Sequence, residues 1–138
     1  MSERLTINYE KKPCYDIVFS ESFEDLPAEF DRLDIRKRKV CVVTDSHVEG
    51  LFGGAVMELL EGACAKCVLY SFKAGEESKT LDTVREIYKF LIEERFDRKD
   101  LLIALGGGVV GDVTGFAAAT YLRGIDFVQI PTTLLAQA

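Results

Sequence analysis

Three observations predict an α/β fold for this chain of 138 residues. Short, continuous apolar runs recur from Lys39 onward, segments of helical period separate them, and polar or glycine-rich turns follow the runs. Continuous apolar runs suit strands buried on both faces of a parallel sheet. The resulting β-α-β-α-β-α-β order implies helices on both faces of that sheet, joined by right-handed crossovers. The expected architecture is therefore a Rossmann-like parallel sheet preceded by a short N-terminal β-hairpin, in one α/β domain over residues 1–138.

The elements follow in order. Leu5–Tyr9 and Tyr15–Phe19 alternate apolar and polar residues across the bridge Lys11-Lys12-Pro13, which reads as a hairpin. Ser22–Phe30 has the pattern of a short helix with Ser22 as its cap. Val40–Val43 is a buried strand stopped by Thr44-Asp45-Ser46. Val48, Leu51, Phe52, Val56, Leu59 and Leu60 recur at helical spacing, and Gly50, Gly53 and Gly54 among them predict a helix broken in two. Cys67–Phe72 is the next strand, and Gly75–Lys79 a polar loop. Thr80 opens a helix whose apolar face is Leu81, Val84, Ile87, Tyr88 and Leu91, with Ser78 or Thr80 as its cap. Leu101–Leu105 is a buried strand, Val113–Leu122 a small-residue helix, and Phe127–Ile130 a strand ending at Pro131. Thr132-Thr133-Leu134-Leu135 begins a helix that the chain does not finish. Ala138 closes an apolar segment without cap, charge or polar tail, so the chain is expected to be part of a longer protein, cut at its C-terminal end.

Composition narrows the function classes. The formal net charge is −6, which argues against nucleic-acid binding because phosphate backbones would be repelled. The uncharged runs Leu101–Gly111 and Val113–Leu122 are split by Asp112 and are too short to span a membrane. The N-terminus lacks the apolar core of a signal peptide, so a cytoplasmic location with reduced cysteines is expected. A single histidine, His47, rules out a multi-histidine metal site within the chain. Cys64-Ala65-Lys66-Cys67 has C-x-x-C spacing, but a zinc ribbon needs a second pair and a thioredoxin-like motif should open a helix, so buried spectator thiols are expected.

Ligands of open parallel sheets bind outside the carboxyl ends of the strands. Here those ends are Thr44-Asp45, Lys73–Lys79, Gly106–Asp112 and Pro131–Thr133. Gly106-Gly107-Gly108-Val109-Val110-Gly111 fits G-x-G-x-x-G between a strand and a helix, where glycines admit a phosphate to free N–H groups and a positive dipole end. It follows a late strand, and no acid ends the next one, so it departs from the standard dinucleotide fingerprint. Asp45 could accept bonds from ribose hydroxyls or cap the next helix. Asp112, placed at a helix start, could serve the dipole or a ligand over the glycines. Glu76 and Lys79 could clasp a polar ligand or belong to a solvated loop. Arg123 could bind an anion or complement a helix C-terminus capped by Gly124.

Taken together, residues 105–137, Leu-Gly-Gly-Gly-Val-Val-Gly-Asp-Val-Thr-Gly-Phe-Ala-Ala-Ala-Thr-Tyr-Leu-Arg-Gly-Ile-Asp-Phe-Val-Gln-Ile-Pro-Thr-Thr-Leu-Leu-Ala-Gln, resemble the signature of the 3-dehydroquinate synthase family. Val-Val-Thr-Asp at 42–45 and Gly-Glu-Glu-Ser-Lys-Thr at 75–80 resemble its earlier cofactor loops. The resemblance implies a lyase of the shikimate pathway of aromatic amino-acid biosynthesis. Such an enzyme converts 3-deoxy-D-arabino-heptulosonate 7-phosphate to 3-dehydroquinate and phosphate with NAD and a divalent metal, zinc or cobalt. It also implies a homodimer whose C-terminal helical domain, absent from this chain, holds the metal. By position, Asp45 matches the ribose contact, and Glu76 and Lys79 the Glu-x-x-Lys loop over the cofactor. Gly107, Gly108 and Val109 match the pyrophosphate turn. Asp112, Thr132 and Thr133 match residues on the nicotinamide side, with Leu135 beside them. His47 stands in the cofactor loop where many members carry a small polar residue such as Asn. Arg123 matches an arginine for the substrate phosphate. No catalytic or metal-ligating residue is expected within the chain. The alternatives are a related sugar-phosphate cyclase, such as 2-deoxy-scyllo-inosose synthase, and a non-catalytic nucleotide-binding module.

Overall fold

A computed structural model of the chain describes residues 2–9, 12–20 and 26–132, the first two segments by backbone course. Ser22, Thr133 and Leu135, singled out above, lie outside the described residues. The elements are β1 (Ser2–Tyr9), β2 (Lys12–Ser20), α1 (Leu26–Leu33), β3 (Lys39–Asp45), α2 (Ser46–Val48), α3 (Gly54–Leu60), β4 (Lys66–Phe72), α4 (Leu81–Glu93), β5 (Leu101–Gly106), α5 (Gly108–Thr120) and β6 (Asp126–Pro131). A π-helical segment, Glu49–Gly53, joins α2 to α3, and short 3₁₀ turns occupy Glu76–Ser78 and Tyr121–Arg123.

All six strands form one sheet in the order β1-β2-β6-β5-β3-β4. β1 and β2 pair antiparallel as the expected hairpin, and β2 joins β6 in parallel. β6, β5, β3 and β4 are parallel throughout. The chain runs from β3 out to the edge strand β4, then crosses back over β3 to β5. This reversal makes the β3/β5 boundary the topological switch point, the place where open sheets of this kind leave a crevice.

Alternation along the strands sorts the core into two layers. Val40 and Val42 of β3, with Leu101, Ile103 and Leu105 of β5, pack beneath Leu26 and Phe30 of α1 and Val56 and Leu60 of α3. Cys41 and Val43, with Leu102 and Ala104, pack beneath Val84, Ile87 and Leu91 of α4 and Val110, Val113 and Ala117 of α5. The crossover through α3 runs toward β4 on one face, and those through α4 and α5 run the other way on the opposite face. Reversing direction and face together preserves one crossover hand.

Three expectations need correction. The fifth helix begins at Gly108, not Val113, because burial of Val110, Val113 and Ala117 against the sheet outweighs the poor helix propensity of Gly108 and Gly111. The segment after β3 is not broken: Gly50 and Gly53 are absorbed in the π segment, and Gly53 and Gly54, the latter opening α3, keep right-handed helical dihedrals. Cys64 and Cys67 are half-buried rather than buried, since Cys64 lies in the α3–β4 connection and Cys67 near the start of an edge strand.

The amino ends of the strands are tied down. Asp100 is fully buried and accepts bonds from the backbone N–H of Lys39 at 2.8 Å and of Asp97 at 2.8 Å. Arg38 Nε donates to the Lys99 carbonyl at 2.5 Å, and its guanidinium pairs with Asp126. With that end closed, the free loops gather at the carboxyl ends.

Candidate functional site

The site is built on the ends of β3 and β5. Between them the buried Thr44 hydroxyl donates to the Leu105 carbonyl at 2.7 Å, fixing the floor of the crevice. On the β3 side, Asp45 Oδ1 accepts from Val48 N at 2.8 Å and caps α2. No described residue pairs with Oδ2, so capping leaves one carboxylate oxygen for a ligand. Ser46 Oγ accepts from Ala74 N at 3.0 Å, tying the start of α2 to the loop after β4. His47 is exposed on α2.

On the β5 side the chain turns through Gly106 and Gly107 directly into α5. Gly106 is required by close approach: an added Cβ would lie 2.7 Å from Val110 Cγ2. Gly107 is the N-cap and offers no side-chain cap, so the first N–H groups of α5 face outward without a side-chain acceptor. An added Cβ at Gly108 would meet nothing within 4 Å. The fold does not need glycine there, but an anion approaching the helix N-terminus does. Half-exposed Val109 follows it.

A second pair of loops converges on α5. Lys79 Nζ, from the loop after β4, stands 3.0 Å from Asp112 Oδ2 and 4.0 Å from Glu76 Oε1. The Asp112 carboxylate, by hydrogen bond and charge, and then Glu76 raise the Lys79 pKa and keep the ammonium charged. Asp112 lies in the second turn of α5, not at its start, so the dipole account of this residue weakens, because that effect fades beyond the first turn. Thr80, not Ser78, caps α4 by accepting from Thr83 N at 3.2 Å, while Ser78 Oγ donates to the Lys73 carbonyl at 2.5 Å. Thr132 is buried just past the end of β6. The structure thus gathers Asp45, Gly107, Gly108, Glu76, Lys79 and Asp112 at the strand ends. The Lys79–Asp112 contact leaves no signal in the sequence, since only strand order brings the two loops together.

Arg123 sits elsewhere, exposed in the 3₁₀ turn after α5. Leu122 and Arg123 have positive φ of 47° and 68°, a strained pair for residues with side chains. Half-exposed Phe116 and Leu122 accompany it. A groove between α5 and β6, lined by Gly111, Asp112, Phe116, Ile125, Phe127 and Gln129, includes none of Gly106, Gly107 and Gly108. Among the described residues, no group of three or more His, Cys, Asp or Glu is placed to hold a metal ion, and no helix is long and apolar enough to cross a membrane.

The chain is similar in sequence and fold to known proteins. The family described as 3-dehydroquinate synthase N-terminal matches residues 69–138. The 3-dehydroquinate synthase of Streptococcus suis (strain 05ZYH33) is 42% identical over 134 residues, 97% of this chain and 38% of that protein. That of Enterococcus faecalis (strain ATCC 47077 / OG1RF) is 46% identical over 89% of this chain and 34% of that protein. Among solved structures, 2-deoxy-scyllo-inosose synthase complexed with carbaglucose-6-phosphate, NAD+ and Co2+ superposes with a TM-score of 0.80 at 26% identity, over 94% of this chain and 35% of that one. The 2-epi-5-epi-valiolone synthase from Streptomyces hygroscopicus subsp. jinggangensis 5008, with NAD+ and Zn2+ bound, gives 0.74 at 30% identity, over 93% and 35%. The chain spans little more than a third of the length of these relatives.

Proposed function

The chain belongs to the 3-dehydroquinate synthase family, and from that premise we propose that it is the NAD-holding part of a 3-dehydroquinate synthase. The observation that carries the proposal is the crevice at the β3/β5 switch point, where strand pairing sets an uncapped helix N-terminus and an unfilled space over Gly108 at the strand end next to that of Asp45, whose Oδ2 has no partner among the described residues. These features fit a dinucleotide. The N–H groups of Gly108 and Val109 would hold the pyrophosphate, Asp45 the adenosine ribose, and Glu76 and Lys79 the loop over the cofactor. Asp112, Thr132, Thr133 and Leu135 would line the nicotinamide side, with His47 beside the adenosine end. When bound, NAD supplies reversible hydride transfer at a substrate carbon.

Arg123 is assigned to the phosphate of a sugar-phosphate substrate, for which its exposed, planar guanidinium is suited. The whole protein is a cytoplasmic homodimer in this reading, with Phe116 and Leu122 covered on assembly. Its divalent metal, zinc or cobalt, would be held by residues outside this chain and would polarise the reacting oxygens. Residues 1–138 alone therefore should not turn over substrate. The structural neighbours favour one second reading, a related sugar-phosphate cyclase that shares the cofactor crevice.

The test is phosphate release from 3-deoxy-D-arabino-heptulosonate 7-phosphate by the full-length protein, supplied with NAD+ and zinc or cobalt. Sustained, metal-dependent release with formation of 3-dehydroquinate is expected. Turnover of a different sugar phosphate only would favour the related cyclase, and no turnover of either would remove the enzyme assignment. Arg123→Ala should raise KM or lower kcat/KM with NAD+ affinity nearly unchanged; a fall in NAD+ affinity would contradict its assignment to substrate.

A further inference from the structure

We propose that Lys79 serves as a charge screen for Asp112, cancelling a carboxylate that would otherwise repel the anionic diphosphate entering the glycine turn. The inference rests on the cofactor reading above and assigns the ion pair a role that neither loop has alone.

The charge count at the strand ends poses the problem. Asp45, Glu76, Glu77 and Asp112 carry four negative charges, against Lys73 and Lys79. Lys73 is engaged by Glu77 at 3.2 Å. Asp112 lies four residues beyond Gly108 on α5, which is about 6 Å along a helix axis. A bare carboxylate at that range acts against the same helix N-terminus that attracts the diphosphate. Lys79 reaches it from the loop after β4, on the far side of β3, and stands 3.0 Å from Oδ2. The pair is half-exposed on the lysine side and more so on the aspartate side, so it adds little to folding stability. Its effect falls on whatever charge approaches α5. A lysine acting only by touching the cofactor would not need its ammonium held on a carboxylate, and an aspartate acting only as a ligand contact would not need its charge matched.

The two roles differ in the sign of a double substitution. NAD+ titration by calorimetry on the full-length protein would compare wild type, Lys79→Met, Asp112→Asn and the double variant, with thermal melts confirming that each folds. Lys79→Met should weaken NAD+ binding about tenfold by exposing the carboxylate. Adding Asp112→Asn to Lys79→Met should recover most of that loss, because the charge needing a screen is gone. The Lys79→Met deficit should also shrink between about 0.05 M and about 0.5 M salt, as screening shortens the repulsion. If Lys79→Met weakens binding by the same factor in the Asp112→Asn background as in wild type, the screen is overturned and Lys79 is a direct contact. Absence of NAD+ binding by wild type overturns the crevice assignment and the screen with it, which separates failure of that reading from failure of the screen alone.

Discussion

At Gly106 an added Cβ would lie 2.7 Å from Val110 Cγ2 and 2.9 Å from its Cβ, whereas at Gly108 it would meet nothing within 4 Å. Two glycines of one turn therefore differ: the first is required by packing, and the second, which packing does not require, is assigned to a ligand in the proposed reading. Gly106→Ala should lower stability by about 1–3 kcal/mol, because Val110 is buried and branched and cannot yield. Gly108→Val should leave the thermal midpoint nearly unchanged while NAD+ binding is lost, since its side chain would stand in the diphosphate's path. Calorimetric melts and NAD+ titrations on the full-length protein check both; loss of folding in Gly108→Val would put that residue in the structural class instead. The motif G-x-G-x-x-G marked the turn but not this division, which depends on where Val110 points. Asp45 shows the same limit. The capping reading is met by Oδ1, which accepts from Val48 N, while the ligand reading is a proposal that rests on Oδ2, without a partner among the described residues.

Among the elements, the strands were the most legible, because continuous runs such as Val40–Val43 and Leu101–Leu105 have few other ways to be buried. Helix onsets were less so. The first turn of α5, Gly108-Val109-Val110-Gly111, combines glycine and β-branched residues, a pattern of weak propensity that only docking on the sheet makes helical. The amino-end clamp was invisible for a different reason: Asp100 looks like one more acid in Asp97-Arg98-Lys99-Asp100, yet it is fully buried. Its carboxylate orders the entry to both β3 and β5 by accepting from Lys39 N and Asp97 N. Asp100→Ala should cost about 3 kcal/mol, leaving two amides without their charged acceptor. Denaturant melts measure this directly, and a loss below about 0.5 kcal/mol would show that water replaces the carboxylate without cost.

For the molecule as a whole, Cys41, Cys64, Tyr70, Lys79 and Tyr121 all hold their protons more tightly than the free side chains do. Burial raises the thiol of Cys41 and pushes that of Cys64 to about 11, the latter aided by Cys67. Burial likewise raises Tyr70 and Tyr121, and Asp112 raises Lys79. In each case the folded state holds its proton to higher pH than the unfolded chain, so the folded state binds more protons in that range. Stability is then fully present at neutral pH and falls as pH rises from about 9 through about 11, the window set by Cys64. Melting midpoints recorded from pH 7 to 11 should decline on the alkaline side, and Cys64→Ala should soften the decline; a flat profile would contradict the burial of these groups. The architecture itself was readable from the alternation of runs and helical segments, but strand order was not. That order places Asp45 beside the glycine turn and makes one crevice of separate loops. The claim that this crevice holds NAD is tested most directly by titrating the full-length protein with NAD+ and NADP+ under one set of conditions. Saturable NAD+ binding, with NADP+ markedly weaker because the Asp45 carboxylate repels a 2′-phosphate, is the expected result; absence of binding, or NADP+ bound as tightly as NAD+ or more so, would contradict it.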